Sequence, residues 1–213
     1  MLKEKAKRCL NRDQVDEALS LYSEALHVCP NDPQILTSRA STYLKCADKK
    51  EAISSERVPS MELALNDAEA AIKADSSWLL GHYFKAVSLT RLHRKQQALA
   101  VAAVYQHLSS GRDVPEVTRC HGGLQVQVVE SSVELCSVLQ QMKNPDGVNQ
   151  VVLIKEGKYS LERTIEIRQP IIVVGQGNVK ISCKIGAPFH FAQAGYVENV
   201  EMFDNFDIMK SLK

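Results

Sequence analysis

The chain has 213 residues, 45% of them hydrophobic and 24% charged, enough apolar material for a core and for one or two domains. Twenty-six Lys and Arg against twenty-five Asp and Glu give a formal charge of +1, and splitting at Gly111 leaves both parts near balance, which excludes a strongly electrostatic nucleic-acid or membrane-surface binder. The longest uncharged apolar stretch, residues 98–105, is far below the roughly 18 residues of a spanning helix, and Met1 is followed by Leu-Lys-Glu-Lys, so the expected location is cytoplasmic.

In chain order the first signal is helical. Residues 15–30 carry Ala18, Leu21, Tyr22 and Ala25 at helical spacing and close on Pro30. Asn31-Asp-Pro33 then supplies a polar cap with proline in the first turn, and Ile35, Leu36, Ala40, Tyr43 and Leu44 continue an apolar face, so a hairpin of two helices is predicted. The spacing recurs at Ala64, Ala68 and Ala71 and again at Ala98, Ala102 and Tyr105, with Ala86 and Leu89 placed as Ala40 and Tyr43 are. Small residues at the crossings let helices approach closely while aromatic residues fill the space beside them.

This small/aromatic/small pattern resembles the tetratricopeptide repeat (TPR), a helix-turn-helix unit of about 34 residues. The resemblance covers residues 1–110 and implies a three-repeat α-solenoid. Ala64 to Ala98 spans thirty-four residues, but Ala18 to Ala64 spans forty-six, so a twelve-residue insertion is expected around 48–60, either lengthening two helices or forming an edge loop. The leading helix begins almost at Met1, with Ala6 and Leu10 as its strong matches, as in a clipped first repeat.

Helical periodicity stops near Ser109-Ser-Gly-Arg-Asp-Val-Pro115, and residues 111–130 read as a linker. Ser131-Ser-Val-Glu134 is a capping-box pattern, followed by Leu135, Val138, Leu139 and Met142 on one face of a short helix that ends at Asn144-Pro-Asp-Gly147. From Gln150 the period becomes that of strands, with β-branched or aromatic runs at 151–154, 164–167, 171–174, 179–181, 189–191 and 197–203 between Gly, Pro and Asn turns. Two architectures fit: an antiparallel sandwich, or a parallel β-helix of stacked coils. The string VVLIKEGKYSLERTIEIRQPIIVVGQGNVKIS is similar to the opening coils of the pectin-lyase-like right-handed β-helix. That likeness implies a partial β-helix with a capping helix over 131–213, and a chain truncated at Lys213, since a solenoid needs about three or more coils to bury its core. The fold class expected is therefore α plus β, a TPR solenoid followed by an all-β unit.

Signals for chemistry are sparse. Cysteines 9, 29, 46, 120, 136 and 183 contain no CxxC pair and are expected as reduced thiols in cores, and the neighbouring Cys120 and His121 do not make a metal site. Gly175-Gln-Gly177 begins a dinucleotide fingerprint, but Lys180 stands where its third glycine belongs, so turn glycines are expected. Paired carboxylates or Asp clusters, the machinery of β-helix enzymes, are missing; Glu156, Glu162 and Glu166 lie near turns or on an outer face, and His190 points away from Phe189 and Phe191. No catalytic residue, metal or cofactor is assigned.

The TPR resemblance does imply a site. The first helix of each repeat lines a concave groove, which places Lys3, Lys7, Ser38, Ser41, Lys45, Leu80, Tyr83, Phe84 and Arg91 near it as peptide-binding residues. One TPR subclass holds the C-terminal carboxylate of heat-shock chaperones with a clamp of Lys and Asn residues and an Arg. The matching positions here read Lys3, Lys7, Ser38, Leu80 and Phe84, so only the leading lysine is retained and apolar surface replaces two charged donors. The expected function is a non-catalytic adaptor or scaffold that binds a protein or peptide partner, without nucleic acid or membrane, and without the chaperone C-terminal peptide. The alternatives are an Hsp70/Hsp90 co-chaperone of the TPR class, or a fragment of a ubiquitin-ligase subunit or of a carbohydrate-active β-helix protein.

Overall fold

The computed structural model describes residues 2–49, 57–142, 148–192 and 195–203. Contacts divide the chain into two compact units, 1–120 and 121–213.

The first unit is helical: α1 Leu2–Asn11, α2 Val15–Val28, α3 Pro33–Lys49, α4 Arg57–Ala74, α5 Leu79–Arg91 and α6 Lys95–Leu108, followed by the short α7 Pro115–His121, whose last residue opens the second unit. Each of α1 to α5 packs on its successor, and α3 also touches α5, so the helices form a TPR-like stack of hairpins. The small residues explain how. Ala6, Ala18, Ala40, Ala64, Ala68, Ala71, Ala86 and Ala98 are completely shielded from solvent, and each marks a helix crossing where a larger side chain would hold the partner away. Gly81 is the extreme case: a Cβ there would lie 2.9 Å from Ile72 Cγ1, so α4 and α5 cross too closely for alanine without a shift. Asp32 Oδ1 caps α3 by accepting from the amides of Gln34 and Ile35 at 2.8 and 3.1 Å, with Pro33 opening the helix.

One half-buried ion pair ties three helices. Arg39 of α3 donates from Nε and Nη2 to the two oxygens of Asp67 on α4, both at 2.7 Å, and from Nη1 to Ser23 Oγ of α2 at 3.1 Å. The planar fork matches the carboxylate in a way lysine would not. Of the expected insertion, residues 50–56 lie outside the described residues; its flanks are helical, since α3 runs to Lys49 and α4 starts at Arg57.

The second unit contains β1 Gly123–Val129, α8 Ser132–Gln141, β2 Val148–Ile154, β3 Gly157–Leu161, β4 Ile165–Ile167, β5 Ile171–Cys183, β6 Phe189–Phe191 and β7 Gly195–Phe203. Every strand pairing among the described residues is parallel, which removes the antiparallel sandwich. The strands form a curled sheet in the order β1-β2-β5-β3, with β7 on β5, and a second ladder of β4 and β6. The register runs in columns: Val126, Val151, Ile172 and Tyr196 stack on one another, as do Val129, Ile154 and Gly175. From β2 onward successive column members are roughly two dozen residues apart in sequence, a coil-like spacing.

The interior of this unit is aliphatic, centred on Val129, Val152, Ile154, Leu161, Ile165, Val173 and Ile181, and α8 packs Leu135 and Leu139 against it. The intervening residues Val151, Leu153, Ile172 and Val174 are also buried, so β2 and the first half of β5 are covered on both faces, as central parallel strands usually are. Half of the expected capping box forms: Ser131 Oγ accepts from the Glu134 amide at 3.2 Å, while Glu134 Oε2 accepts from the amide of Glu130, one residue before the N-cap, at 2.9 Å.

Several expectations are corrected here. Residues 111–130 are not a bare linker, because they carry α7 and β1; Pro115 starts the helix and Gly122, with φ of 91°, turns the chain into the strand. The runs 171–174 and 179–181 belong to one long strand bent at Gly175-Gln-Gly177, so these glycines serve a bend rather than a turn between separate strands. Gly177 has φ of 83°, and a Cβ on Gly175 would lie 2.1 Å from the carbonyl oxygen of Asn199 in β7, where the β5 and β7 ladder shifts register. All six cysteines are free, yet only Cys183 is buried, and Cys29 and Cys120 are exposed.

Candidate peptide groove

Helices α1, α2, α3 and α5 together line a concavity of about 290 Å³. Its walls carry Lys3, Lys7, Ser38, Ser41, Leu80 and Phe84, six of the nine residues expected at the groove. They meet because the first helices of successive hairpins present corresponding turns to one side of the stack. Lys3 and Lys7 are one helical turn apart on α1, as Leu80 and Phe84 are on α5, so a cationic wall faces an apolar one. Ser38 lies between them on α3, half-buried, with its hydroxyl donating to the Gln34 carbonyl at 2.7 Å.

The walls differ in solvation. Leu80 is 48% exposed, and Phe84 is half-buried with its ring edge-to-face on Tyr83, centroids 5.3 Å apart. Lys7 is exposed, while the half-buried Lys3 donates from Nζ to Gln34 Oε1 at 2.6 Å. That partner is a neutral amide, and Glu4 lines the same concavity.

The other three residues sit differently. Tyr83 packs on Phe84 and on Tyr105 of α6, 5.8 Å between centroids, and does not line the concavity. Lys45 is exposed on α3 beyond its rim. Arg91 is the clear correction: it donates to Glu116 from Nε and Nη2 at 2.7 and 3.2 Å, and to Asp48 from Nη1 at 2.7 Å. With both carboxylates in place, its guanidinium joins α3, α5 and α7 instead of recruiting an acidic flank.

Residues absent from the sequence-based set also line the concavity: Glu4 and Leu10 of α1, Tyr22 of α2, and Gln34 and Thr37 of α3. Tyr22 was visible in the sequence as a repeat aromatic, but its periodicity assigns it to packing; burial raises the pKa of its phenol. Thr37 and Gln34 carry no repeat signature and become visible only once α1 and α3 are placed together.

The second unit has its own concavity of about 430 Å³, lined by Leu139 and Met142 of the α8 region, Gln150 of β2 and the segment from Thr164 to Ile171. Its charged pair, Glu166 and Arg168, is joined at 2.9 Å on the surface, and Glu162 is paired with Lys184 at 2.6 Å across the ladder. Among the described residues no group of three or more His, Cys, Asp or Glu side chains converges as a metal site, and no helix is long and apolar enough to cross a membrane.

No protein-family model matches the chain. Among curated proteins it is 31% identical over 104 residues to the ER protein translocation subcomplex subunit sec67 of Schizosaccharomyces pombe, a match covering 47% of this chain. The chain spans about half the length of that relative, 53%. Among solved structures it is similar to TPR domains. The second TPR domain of human RPAP3, in complex with the HSP70 peptide SGPTIEEVD, is 18% identical with a TM-score of 0.48, covering 56% of this chain and 91% of that one. The Arabidopsis OM64 TPR domain is 17% identical with a TM-score of 0.47, covering 56% and 90%. The Sgt2 TPR domain from Aspergillus fumigatus is 19% identical with a TM-score of 0.45, covering 55% and 70%.

Proposed function

We propose that this chain is a non-catalytic cytoplasmic adaptor whose helical unit captures a peptide segment of a partner protein. The observation that carries this reading is the open concavity in which exposed Leu80 and half-buried Phe84 face Lys3 and Lys7. An apolar side chain of the partner seats against Leu80 and Phe84, a burial worth about 1.5–3 kcal/mol, and an acidic flank is favoured by the lysines. The relative described as a subunit of a translocation subcomplex supports a role inside a multi-subunit assembly. The coil-like register of the second unit supports reading it as the start of a β-helix, a second surface rather than an enzyme.

Comparing partners captured by the wild-type chain and by Phe84→Ala tests the groove, with circular dichroism as the control for folding. Loss of partners from a folded variant is the expected outcome, and an unchanged set counts against the groove. The co-chaperone reading draws on Lys3, Lys7 and Ser38 sharing one concavity. On our reading Leu80 and Phe84 give no bonds to a terminal carboxylate, so a peptide ending in Glu-Glu-Val-Asp binds weakly; a Kd of about 10 μM or tighter reverses that assignment.

A further inference from the structure

Strand β1 ends the curled sheet: it pairs with β2 on one side, and no described strand pairs with it on the other. The residues bonded to β2 alternate along it. The Val129 carbonyl accepts from the Lys155 amide at 2.9 Å, one step past the register pair of Val129 and Ile154, so Gly123, Gln125, Gln127 and Val129 turn their main-chain groups toward β2. The N–H and C=O groups of Leu124, Val126 and Val128 therefore point out of the open edge, and among the described residues none of them has a partner. Sheets usually blunt such edges, and the other open strands here are blunted. Ser132 Oγ accepts from the Ser160 amide of β3 at 3.0 Å, β4 and β6 are three residues long, and β7 carries Glu198 and Glu201 with Asn199, at φ of 55°, between them. The seven residues of β1, Gly-Leu-Gln-Val-Gln-Val-Val, include no charge, no proline and no left-handed residue, and Val128 is 37% exposed.

From this edge we propose that the chain forms a homodimer in which β1 pairs antiparallel with β1 of a second copy, across a two-fold axis at Val126. Symmetry selects the occupant. With Val126 opposite its own copy, Leu124 faces the second copy's Val128 and Val128 faces its Leu124, so every outward main-chain group meets its complement and no like charges are opposed. A formal charge of only +1 on each chain puts little long-range repulsion in the way. The dimer stands apart from the peptide groove and carries two copies of it, which raises the apparent affinity for a partner that repeats its peptide.

Sedimentation equilibrium of the full chain over about a hundredfold range of concentration tests the dimer, with circular dichroism as the control for folding. The wild-type chain should reach the mass of two 23.7 kDa chains. Val126→Pro removes an outward N–H without touching the β2 ladder and should leave a folded monomer. Val126→Lys and Val126→Glu each set like charges across the axis, so each should be a monomer alone, and the two should form a dimer when mixed. Where the Val126 variants do not fold, Val128→Lys, at an exposed side chain, should still weaken the dimer about tenfold or more. A wild-type chain that stays monomeric at every concentration overturns the dimer, as does a dimer that Val126→Pro or Val128→Lys leaves intact. Folded Lys and Glu variants that do not associate on mixing overturn the pairing centred on Val126.

Discussion

The two units solve the same burial problem with different residues. In the helical unit the contacts that count are alanines at zero exposure, with Tyr22, Leu36, Leu65 and Leu89 filling the space between them; in the strand unit they are columns of Val and Ile, with hardly an alanine among the buried residues. A helix crossing needs one small residue per turn and tolerates variety beside it. A parallel ladder repeats its demand at every second position, on both faces where both are covered. Charges differ as well: the helical unit has surface pairs such as Lys49–Asp13 and Arg94–Glu62 but also shields two, Arg39–Asp67 and Arg91–Glu116, whereas the strand unit's Glu162–Lys184 and Glu166–Arg168 lie on its surface.

Removing one partner of a shielded pair is the harshest way to exploit that difference. Asp67→Ala leaves the Arg39 guanidinium with Ser23 Oγ as its remaining hydrogen-bond partner and is expected to cost about 3–5 kcal/mol, read as a lower urea midpoint of the helical signal at 222 nm. A double change of Arg39 and Asp67 to apolar residues of similar volume should recover most of it. The corresponding blow to the strand unit is a cavity. Leu135→Ala empties the contact between α8 and the aliphatic interior, and about 2–4 kcal/mol of destabilisation is expected from the same titration followed in the strand signal.

Legibility followed the range of the contacts. Helix boundaries came from residues within a turn or two of each other, as with Asp32 and Pro33 at the start of α3 or Ser131 and Glu134 at α8. Ser38 and Phe84 stand two residues before Ala40 and Ala86, a repeat spacing readable in the sequence, whereas nothing in a single repeat marks Gln34 and Thr37, which line the same concavity. Arg91 was misassigned because Glu116 lies in a segment that read as a linker, so its partner was invisible before α7 was placed. In the strand unit β1 and β3 were overlooked for a related reason. Gln125 and Gln127 dilute the hydrophobic run of β1, and β3 is anchored by Tyr159, whose hydroxyl donates to the Lys155 carbonyl at 2.9 Å. Two-dozen-residue register leaves no local trace.

A smaller effect distinguishes the units by pH. His82 of α5 is buried, and its Nε2–H donates to the Ser76 carbonyl at 2.9 Å. Desolvation lowers its pKa, with Lys85 acting in the same direction and the Ser76 carbonyl opposing. The unfolded chain therefore takes up a proton near the ordinary histidine value while the folded one resists it, so stability is present above about pH 6.5 and is lost as the pH falls through the lowered folded value. Acidification from pH 7 to 5.5 should lower the helical midpoint, and His82→Gln should flatten that dependence; an equally steep slope in the variant would assign the effect to other groups.

The smallest expected effect is at Glu166 on the second unit. Its carboxylate accepts from Arg168 Nη2 at 2.9 Å, and that bond holds its pKa below the usual carboxylate value, so it looks like a stabilising pair. Yet the side chains of Arg168 and Glu166 are 78% and 51% exposed, and Arg168 lies just past the end of β4, where solvent reaches both groups. Water and salt screen such a contact, and ordering two long side chains offsets what attraction remains. Glu166→Gln should leave the urea midpoint of the strand signal unchanged at both low and high ionic strength. A clear loss at low salt that vanishes at high salt would mean that surface ion pairs stabilise this unit after all, and the contrast between interior charges in the helices and idle charges on the strands would no longer hold.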